Sequence, residues 1–193
     1  AKAPADQSRR ADHSTSAAMA LSRKPKLLCL HGRNSNSEVS QMQMMILGLE
    51  AVASCVSLDA PHLAGKFDTN LDNDGRTWMG EGGEIVSSLK FVVEYCHEHG
   101  PFDGAYGFSQ GCGIITVLSD PGVLKSFGVH APMWKFAVLA CGSDMVIGRQ
   151  TEPCIQPPIA LPSLHLQGEA DTVVDAAALF ALYDRPQRVV HPG

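Results

Sequence analysis

One stretch of the sequence decides the fold, Phe102-Asp103-Gly104-Ala105-Tyr106-Gly107-Phe108-Ser109-Gln110-Gly111-Cys112-Gly113. It predicts a short strand, a glycine-rich corner and then a helix, with Ser109 at the apex of the corner. Gly107 and Gly111 complete a G-x-S-x-G pattern, in which the turn is so tight that only glycine avoids clashes at the flanking positions. The pattern indicates a nucleophile elbow, which pushes the serine hydroxyl out above the edge of a sheet. A serine that caps a helix in an ordinary βα turn is the alternative interpretation.

Short apolar runs and helical patterns alternate along the rest of the chain. Besides the strand that carries the elbow, we predict strands over 26–30, 52–58, 136–141, 162–168 and 187–191. The spacing of apolar residues predicts helices over 38–49, 84–97 and 176–182, and the methionine-rich face of the first is expected in the core. Such alternation is typical of a parallel sheet covered by helices on both faces. The expected fold class is therefore α/β, a doubly wound and mostly parallel sheet, and the elbow at Ser109 makes the α/β-hydrolase fold the expected form of it.

Three connections interrupt this alternation. A loop of two dozen residues follows His62, and such long irregular stretches inside a compact domain are typically functional lids. We interpret Pro121-Gly122 as a break, after which residues 123–130 form an irregular connection. The proline-rich stretch 147–162 is expected to be a surface excursion.

The composition suits one globular domain that acts on small molecules. At 193 residues, with 45% hydrophobic and 18% charged residues, the chain can bury a sizeable core. A net charge of -5, with no basic cluster beyond Arg23-Lys24 and Lys26, argues against nucleic acid or an anionic membrane surface as a partner. No apolar run approaches the ~18 residues of a membrane span. We expect residues 1–25 to be a flexible tail or a processed leader, and residues 26–193 to form the α/β-hydrolase domain.

The six cysteines include no C-x-x-C pair, and several lie in apolar runs. This is typical of small buried side chains in a reducing compartment, and not of a disulfide framework or a metal site. We therefore expect no metal, and an intracellular location that is either cytoplasmic or organellar. Cys112, beside the elbow, could be a reactive thiol, but its apolar helix position favours packing.

Three polar residues fall where strands of a doubly wound sheet end, which is where reacting groups gather. Ser109 follows the elbow strand, Asp171 follows the strand over 162–168, and His191 ends the last predicted strand. The order Ser, Asp, His is that of α/β-hydrolases. In such a site the imidazole accepts the serine proton, the carboxylate holds the ring, and the serine oxygen attacks an acyl carbon. An Asx turn after the strand explains Asp171 equally well.

Acyl transfer also needs two N–H donors for the oxyanion of its transition state. The backbone N–H of Gln110, at the start of the nucleophile helix, is the first candidate. The loop after the first strand offers the second donor at Arg33, with Asn34 as the neighbouring choice. His31 precedes this loop and is expected to be structural.

At six motifs the chain resembles the FSH family of serine hydrolases, which includes the human ovarian-cancer-associated homologue and fungal esterases that release polyketides. The resemblance runs from Lys26 to Gly193. Its motifs are Leu28-Cys29-Leu30-His31-Gly32, Leu58-Asp59-Ala60-Pro61, Arg76-Thr77-Trp78, Gly100-Pro101-Phe102-Asp103-Gly104, Gly107-Phe108-Ser109-Gln110-Gly111 and Leu164-His165-Leu166-Gln167-Gly168-Glu169-Ala170-Asp171. The resemblance implies that the matching Ser109 and Asp171 are catalytic. It also implies hydrolysis of carboxylic esters or thioesters without a cofactor.

The sequence departs from the family pattern at its last residues. Family members usually continue the final strand as His-Pro-Gly-Gly-His, and the resemblance implies that the second histidine is the catalytic base. This sequence stops at His191-Pro192-Gly193. Either the chain lacks its C-terminal end, or His191 substitutes as the base, or the protein has no base. We favour the first interpretation, because a last helix normally covers the sheet after this point.

We therefore expect a single-domain serine esterase or thioesterase that acts on small to medium acyl substrates. Trp78 and Met79, in the long loop, would wall the acyl pocket. The alternative is a catalytically impaired hydrolase fold that serves as a structural or binding subunit of a larger assembly, with protein partners.

Overall fold

The computed structural model describes residues 23–64, 75–149, 154–174 and 176–192. In these ranges the strands are β1 Lys26–Leu30, β2 Ser54–Leu58, β3 His62–Leu63, β4 Arg76–Thr77, β5 Gly104–Phe108, β6 Ala137–Ala140, β7 Ser163–Gly168 and β8 Gln187–His191. Six of them form one sheet in the order β2-β1-β5-β6-β7-β8, and every neighbouring pair is parallel. The short strands β3 and β4 form a separate antiparallel pair.

The helices in the described ranges are α1 Ser37–Ile46, α2 Val86–His99, α3 Gln110–Val117, α4 Pro121–Ser126 and α5 Ala176–Phe180. Single turns of 3-10 helix occur at Leu49–Ala51, Glu81–Gly83 and Ile147–Arg149. The doubly wound parallel sheet predicted from the sequence is confirmed. The predicted tail lies outside the described residues up to position 22, as does most of the predicted lid, over 65–74.

The sheet separates two apolar clusters, because successive residues of a strand point to opposite faces. On one face, Leu27 and Cys29 of β1 pack with Met44 of α1. On the other face, Leu28 and Leu30 pack with residues from α2 to α5, which are Leu89, Val92, Ile114, Ile115, Val123, Leu124 and Leu179. Burial on both faces explains why β1 is an unbroken apolar run and not an alternating one.

The prediction of an irregular connection after Pro121-Gly122 is wrong, because α4 begins there. The Asp120 carboxylate accepts hydrogen bonds from the N–H groups of Gly122 at 2.7 Å and Val123 at 3.0 Å. Pro121 occupies the first turn, where its fixed φ and missing N–H cost the helix nothing. An aspartate cap followed by proline is a helix start, and it outweighs the glycine as a breaking signal.

The proline-rich stretch lies on the core more closely than a surface excursion would. Ile155 and Ile159 are buried. The Gln156 N–H donates to the second oxygen of the Asp120 carboxylate at 2.7 Å. One buried carboxylate therefore caps α4 and also fixes this stretch.

The methionine-rich helix α1 buries less than its sequence predicted. Met44 is fully buried, but Met42 is 51% and Met45 is 61% exposed. The helix covers only its side of β1 and β2, so one methionine of the three reaches the core.

Candidate active site

Ser109 occupies the corner between β5 and α3. Its φ of 49° and ψ of -112° lie in a region that residues other than glycine rarely adopt. Such backbone strain costs about 1 to 3 kcal/mol and persists only where the surrounding structure imposes it. Here the Ser109 N–H donates to the Ala140 carbonyl of β6 at 2.9 Å. The strand, corner and helix that the G-x-S-x-G pattern predicts are all present.

The two glycines of the pattern are required by close backbone approaches. A Cβ on Gly107 would lie 2.8 Å from the Cys112 nitrogen, inside the first turn of α3. A Cβ on Gly111 would overlap the carbonyl oxygen of Leu30 at the end of β1. The corner can therefore be this tight only with glycine at both positions.

The loop after β1 packs directly against the serine. A Cβ on Gly32 would lie 3.3 Å from the Ser109 Cβ. His31, which precedes it, is fully buried, and its Nε2 accepts the Ala60 N–H at 3.0 Å. Because Nε2 is an acceptor, Nδ1 carries the proton and donates to the Gly32 carbonyl at 2.6 Å. Burial lowers the pKa of His31, so the ring is neutral and holds the loop, as its structural role requires.

Asn34, the neighbouring candidate for the second oxyanion donor, pairs through its backbone with another part of the chain. The Asn34 N–H donates to the Arg76 carbonyl at 2.8 Å, and Asn34 has a φ of 55°. Its N–H is therefore already committed to β4. Arg33, whose side chain is exposed, remains the candidate in this loop.

Gln110 follows the serine as the first residue of α3 and is only 4% exposed. Its Oε1 accepts hydrogen bonds from the Trp78 N–H at 2.8 Å and from the Thr77 hydroxyl at 3.1 Å. The first N–H groups of a helix have no partner within the helix and lie at the positive end of its dipole. The backbone N–H of Gln110 lies at this end of α3, directly after Ser109, and stays the first candidate for the oxyanion donor.

Trp78 in the long loop packs in the core, although the sequence predicts that it lines the acyl pocket. Trp78 is 0% exposed, and its Nε1 donates to the His31 carbonyl at 2.8 Å. An indole this deeply buried offers a substrate no surface in this structure, because its apolar rings are used in the core and its N–H is paired. Met79 is only partly buried, and its N–H donates to the Thr77 hydroxyl at 3.2 Å. Sequence reasoning missed Thr77, whose sole signal was its place in the Arg76-Thr77-Trp78 motif.

Asp171 lies in the turn that follows β7. One carboxylate oxygen accepts the N–H groups of Val173 at 2.9 Å and Val174 at 3.3 Å. This is the Asx turn of the alternative interpretation, but it uses only one of the two oxygens. Burial raises the pKa of the Cys141 thiol, and the nearby Asp171 carboxylate contributes to the rise. Because Cys141 follows β6 directly, Asp171 faces the part of the sheet edge that adjoins the elbow.

His191 ends β8, in register with Gly168 of β7. Its Cε1 lies 3.4 Å, and the Asp171 Cβ 3.6 Å, from the point where a Cβ on Gly168 would stand. The structure thus brings His191 and Asp171 to the same strand end. In the described part of the chain, the imidazole forms no hydrogen bond with the Asp171 carboxylate or the Ser109 hydroxyl.

The remaining buried polar side chains near the sheet are structural. His165 lies between the rings of Phe180 and Tyr183, each 5.1 Å away, and burial lowers its pKa to about 4. The Cys112 thiol is buried and donates to the Ala140 carbonyl at 3.4 Å. Burial also raises the pKa of Cys112, so the thiol packs and does not react.

All six cysteines are free thiols. Across the described ranges, no group of three or more His, Cys, Asp and Glu side chains is placed to hold a metal ion. None of the helices in those ranges combines the length and the apolar character needed to cross a membrane.

The chain has named relatives. It is 35% identical over 117 residues to a protein of Schizosaccharomyces pombe named dihydrofolate reductase, a match that covers 58% of the chain and 25% of that protein. It is 30% identical over 139 residues to Family of serine hydrolases 2 of Saccharomyces cerevisiae, covering 65% of the chain and 62% of the relative. It is 27% identical over 196 residues to Esterase OVCA2 of Xenopus tropicalis, covering 87% of the chain and 84% of the relative. The chain therefore spans less than two thirds of the length of the first two relatives.

A solved structure and a family model complete the comparison. The crystal structure of the Bacillus cereus carboxylesterase superposes with a TM-score of 0.53 at 19% identity, covering 87% of this chain and 78% of that one. At this identity the likeness shows a shared α/β-hydrolase fold. The family model described as Serine hydrolase (FSH1) matches residues 19–193, which is most of the chain. The chain belongs to the FSH1 family of serine hydrolases.

Proposed function

We propose that the protein hydrolyses carboxylic esters or thioesters of small to medium acyl groups through an acyl-serine intermediate on Ser109. The observation that carries the proposal is the backbone of Ser109, held at a φ of 49° between β5 and α3. That strain presents the hydroxyl at the sheet edge, which a serine that merely capped a helix would not need. The family and its named esterases support the same chemistry.

In the first half-reaction the Ser109 oxygen attacks the acyl carbon as its proton passes to a base. The carbonyl oxygen becomes an oxyanion, which the N–H groups of Gln110 and Arg33 would bind. The amino end of α3 adds its positive dipole at the same place. Collapse of the intermediate releases the alcohol or thiol, and water then hydrolyses the acyl-serine by the same route.

Asp171 would orient the base and stabilise its positive charge. We propose that the base stands at the carboxyl end of β8, where His191 is the histidine that the described residues supply. The Asx turn keeps the Asp171 side chain fixed through one of its two carboxylate oxygens. We still propose that Met79, which is partly exposed, lines the acyl pocket. Trp78, which is fully buried, would instead stabilise the loop by packing in the core.

The alternative function is a structural or binding subunit with protein partners. The names of the relatives, serine hydrolases and esterases, favour the enzyme. We also propose an intracellular, reducing location for the hydrolase domain over 26–193, which the six free cysteines support. Fractionation of cells that express the tagged protein would test the location.

The test of the proposed function combines a fluorophosphonate probe with turnover of a short-chain nitrophenyl ester. We expect one adduct, mapped to the peptide that contains Ser109, and turnover that disappears in Ser109→Ala. Ser126→Ala, which removes a hydroxyl that donates to the Val123 carbonyl of its own helix, should keep both the adduct and the turnover. Unchanged turnover in Ser109→Ala would sink the assignment.

A second variant tests the base. His191→Gln should lower turnover by several orders of magnitude if His191 accepts the proton, since triad histidines contribute on the order of 10⁶ in kcat. Retained turnover in that variant, with an adduct still on Ser109, would show that another group is the base.

A further inference from the structure

We propose that the side chain of Gln110 is a positioning element that joins the two halves of the oxyanion site. Its backbone N–H belongs to the nucleophile corner, and its side chain holds β4, which in turn holds the loop after β1. The catalytic meaning of this bridge rests on the proposed function. The bridge itself is a structural statement that can be tested separately.

The first half of the bridge is the buried amide of Gln110. Its Oε1 accepts two hydrogen bonds, from the Trp78 N–H at 2.8 Å and from the Thr77 hydroxyl at 3.1 Å. A backbone N–H can only donate, so the amide oxygen must face Trp78 and the orientation of the side chain is fixed. The Thr77 hydroxyl also accepts the Met79 N–H at 3.2 Å, which extends the network along the loop.

The second half of the bridge connects β4 to the loop that carries Arg33. The Asn34 N–H donates to the Arg76 carbonyl, and the Arg76 N–H donates to the Ser35 carbonyl, both at 2.8 Å. These two bonds form an antiparallel bridge on the residues that follow Arg33. Trp78 adds a third link, from its Nε1 to the His31 carbonyl at 2.8 Å. The segment Arg76 to Trp78 therefore binds the loop on both sides of Arg33.

These contacts set the spacing between the two proposed donors. Gln110 is held to the segment by its side chain, and Arg33 is held by its neighbours on the chain. If Gln110 released the segment, the contact between Gly32 and Ser109 would remain, but the part of the loop that follows Gly32 would lose its link to the corner through β4. Displacements of about 1 Å in such groups can cost on the order of 100-fold in rate.

The other end of the amide indicates that Gln110 is not there for stability alone. Its Nε2 is buried, and among the described residues it has no hydrogen-bond partner. Buried polar groups are normally paired, because an unpaired one is destabilising. We infer that glutamine is needed at this position for its amide oxygen, which accepts both hydrogen bonds of the bridge. A methionine of similar shape would remove the bridge and the unpaired Nε2 together.

The experiment compares Gln110→Met and the matched pair Thr77→Val and Thr77→Ser. Valine keeps the shape of threonine without its hydroxyl, whereas serine keeps the hydroxyl. The first readout is amide hydrogen exchange at Trp78 and Asn34 in the folded protein. The second is the kcat and KM for a short-chain nitrophenyl ester. Ser126→Ala is again the control far from the site.

We expect exchange at both amides to quicken by about tenfold in Gln110→Met and Thr77→Val, because local opening no longer breaks the bridge. We expect kcat to fall by roughly 10- to 100-fold with KM nearly unchanged, as for a loss of transition-state binding. Thr77→Ser should recover most of both effects. Exchange at Asn34 as slow as in the wild type, in variants that fold, would overturn the bridge.

The two proposals fail in different ways. A wild type without turnover or a Ser109 adduct would overturn the esterase, while the exchange comparison would still decide whether the bridge exists. Quicker exchange with unchanged kcat would overturn the positioning role and leave the esterase standing. A fall in kcat that Thr77→Ser does not recover would also count against the bridge.

Discussion

Gly32 and Ser109 are in such close contact that a Cβ on the glycine would lie 3.3 Å from the Cβ of the serine. The same atom would lie 3.0 Å from Cδ1 of Phe108. Contacts this short require the neighbours to move by a few tenths of an ångström. The nucleophile and the loop that would bind its oxyanion are therefore packed without spare room.

The first prediction follows from that contact. Gly32→Ala should lower kcat by about 10- to 100-fold, because the added methyl group displaces the serine or the loop from the geometry that acyl transfer needs. Gly148→Ala is the matched control, since a Cβ there meets none of the described residues within 4 Å. Steady-state kinetics of the two variants, with thermal unfolding to confirm folding, test the prediction. Equal kcat in the two would contradict the packing argument.

The second prediction separates the two roles of Asp171. Asp171→Asn keeps an oxygen for the Val173 and Val174 N–H groups, so the Asx turn and the stability should survive. The negative charge is lost, and kcat should fall by about 10⁴, as when a triad aspartate becomes asparagine. Turnover near that of the wild type would reduce Asp171 to a turn residue. Asp171→Ala, which loses both roles, should be less stable as well.

The third prediction concerns Asp120, far from the proposed chemistry. Asp120→Ala removes a carboxylate that accepts three N–H groups, two in the first turn of α4 and one from Gln156. We expect the free energy of unfolding to fall by about 2 to 3 kcal/mol, because a cap and buried N–H partners are lost at once. The kcat of the folded fraction should not change. Urea unfolding beside active-site titration would measure the two effects separately.

The fourth prediction is a pH dependence of stability that His165 produces. Its pKa falls from 6.5 to about 4 on folding because it is buried, so the folded state resists the proton that the unfolded state accepts. This stabilisation is complete above pH 6.5 and declines as the pH falls toward 4. By about pH 5 the loss amounts to about 2 kcal/mol.

The matched variant is His165→Gln, which keeps a polar group near the Ser163 hydroxyl but does not titrate. Its free energy of unfolding should change less than that of the wild type between about pH 7 and about pH 5. His31, whose pKa is also lowered by burial, is present in both proteins and cancels in the comparison. If the free energies of unfolding of the two proteins change in parallel with pH, the pKa of His165 is not lowered on folding, which would contradict the prediction.

The sheet and the corner at Ser109 could be predicted because their signals are local. β1 and β8 begin and end where the apolar runs predicted, and Gly107 and Gly111 are required by their immediate neighbours. α4 has a local signal too, in the Asp120 cap and Pro121, but Pro121-Gly122 also predicts a break. The two signals compete at this position, and the capping hydrogen bonds are the stronger.

The rest of the site depends on contacts between distant parts of the chain. The place of Trp78 in a glycine-rich loop predicts an exposed ring. The ring is instead buried, and its Nε1 donates to the carbonyl of His31, 47 positions earlier in the chain. The pairing of Thr77 with Gln110 joins residues 33 positions apart, and neither residue type demands such a partner. The use of the Asn34 N–H in β4 pairing likewise depends on a bond to the Arg76 carbonyl that no spacing rule contains.

The positive φ of Ser109 also makes the serine a reporter of assembly. The corner closes only when β5 lies between β1 and β6, because the Ser109 N–H needs Ala140 and Gly111 must pass Leu30. In an unfolded chain Ser109 is not activated by a base, so it does not react with a fluorophosphonate. During refolding, the yield of adduct would therefore count molecules whose central strands have docked and whose strand β8 has brought the proposed base to the serine.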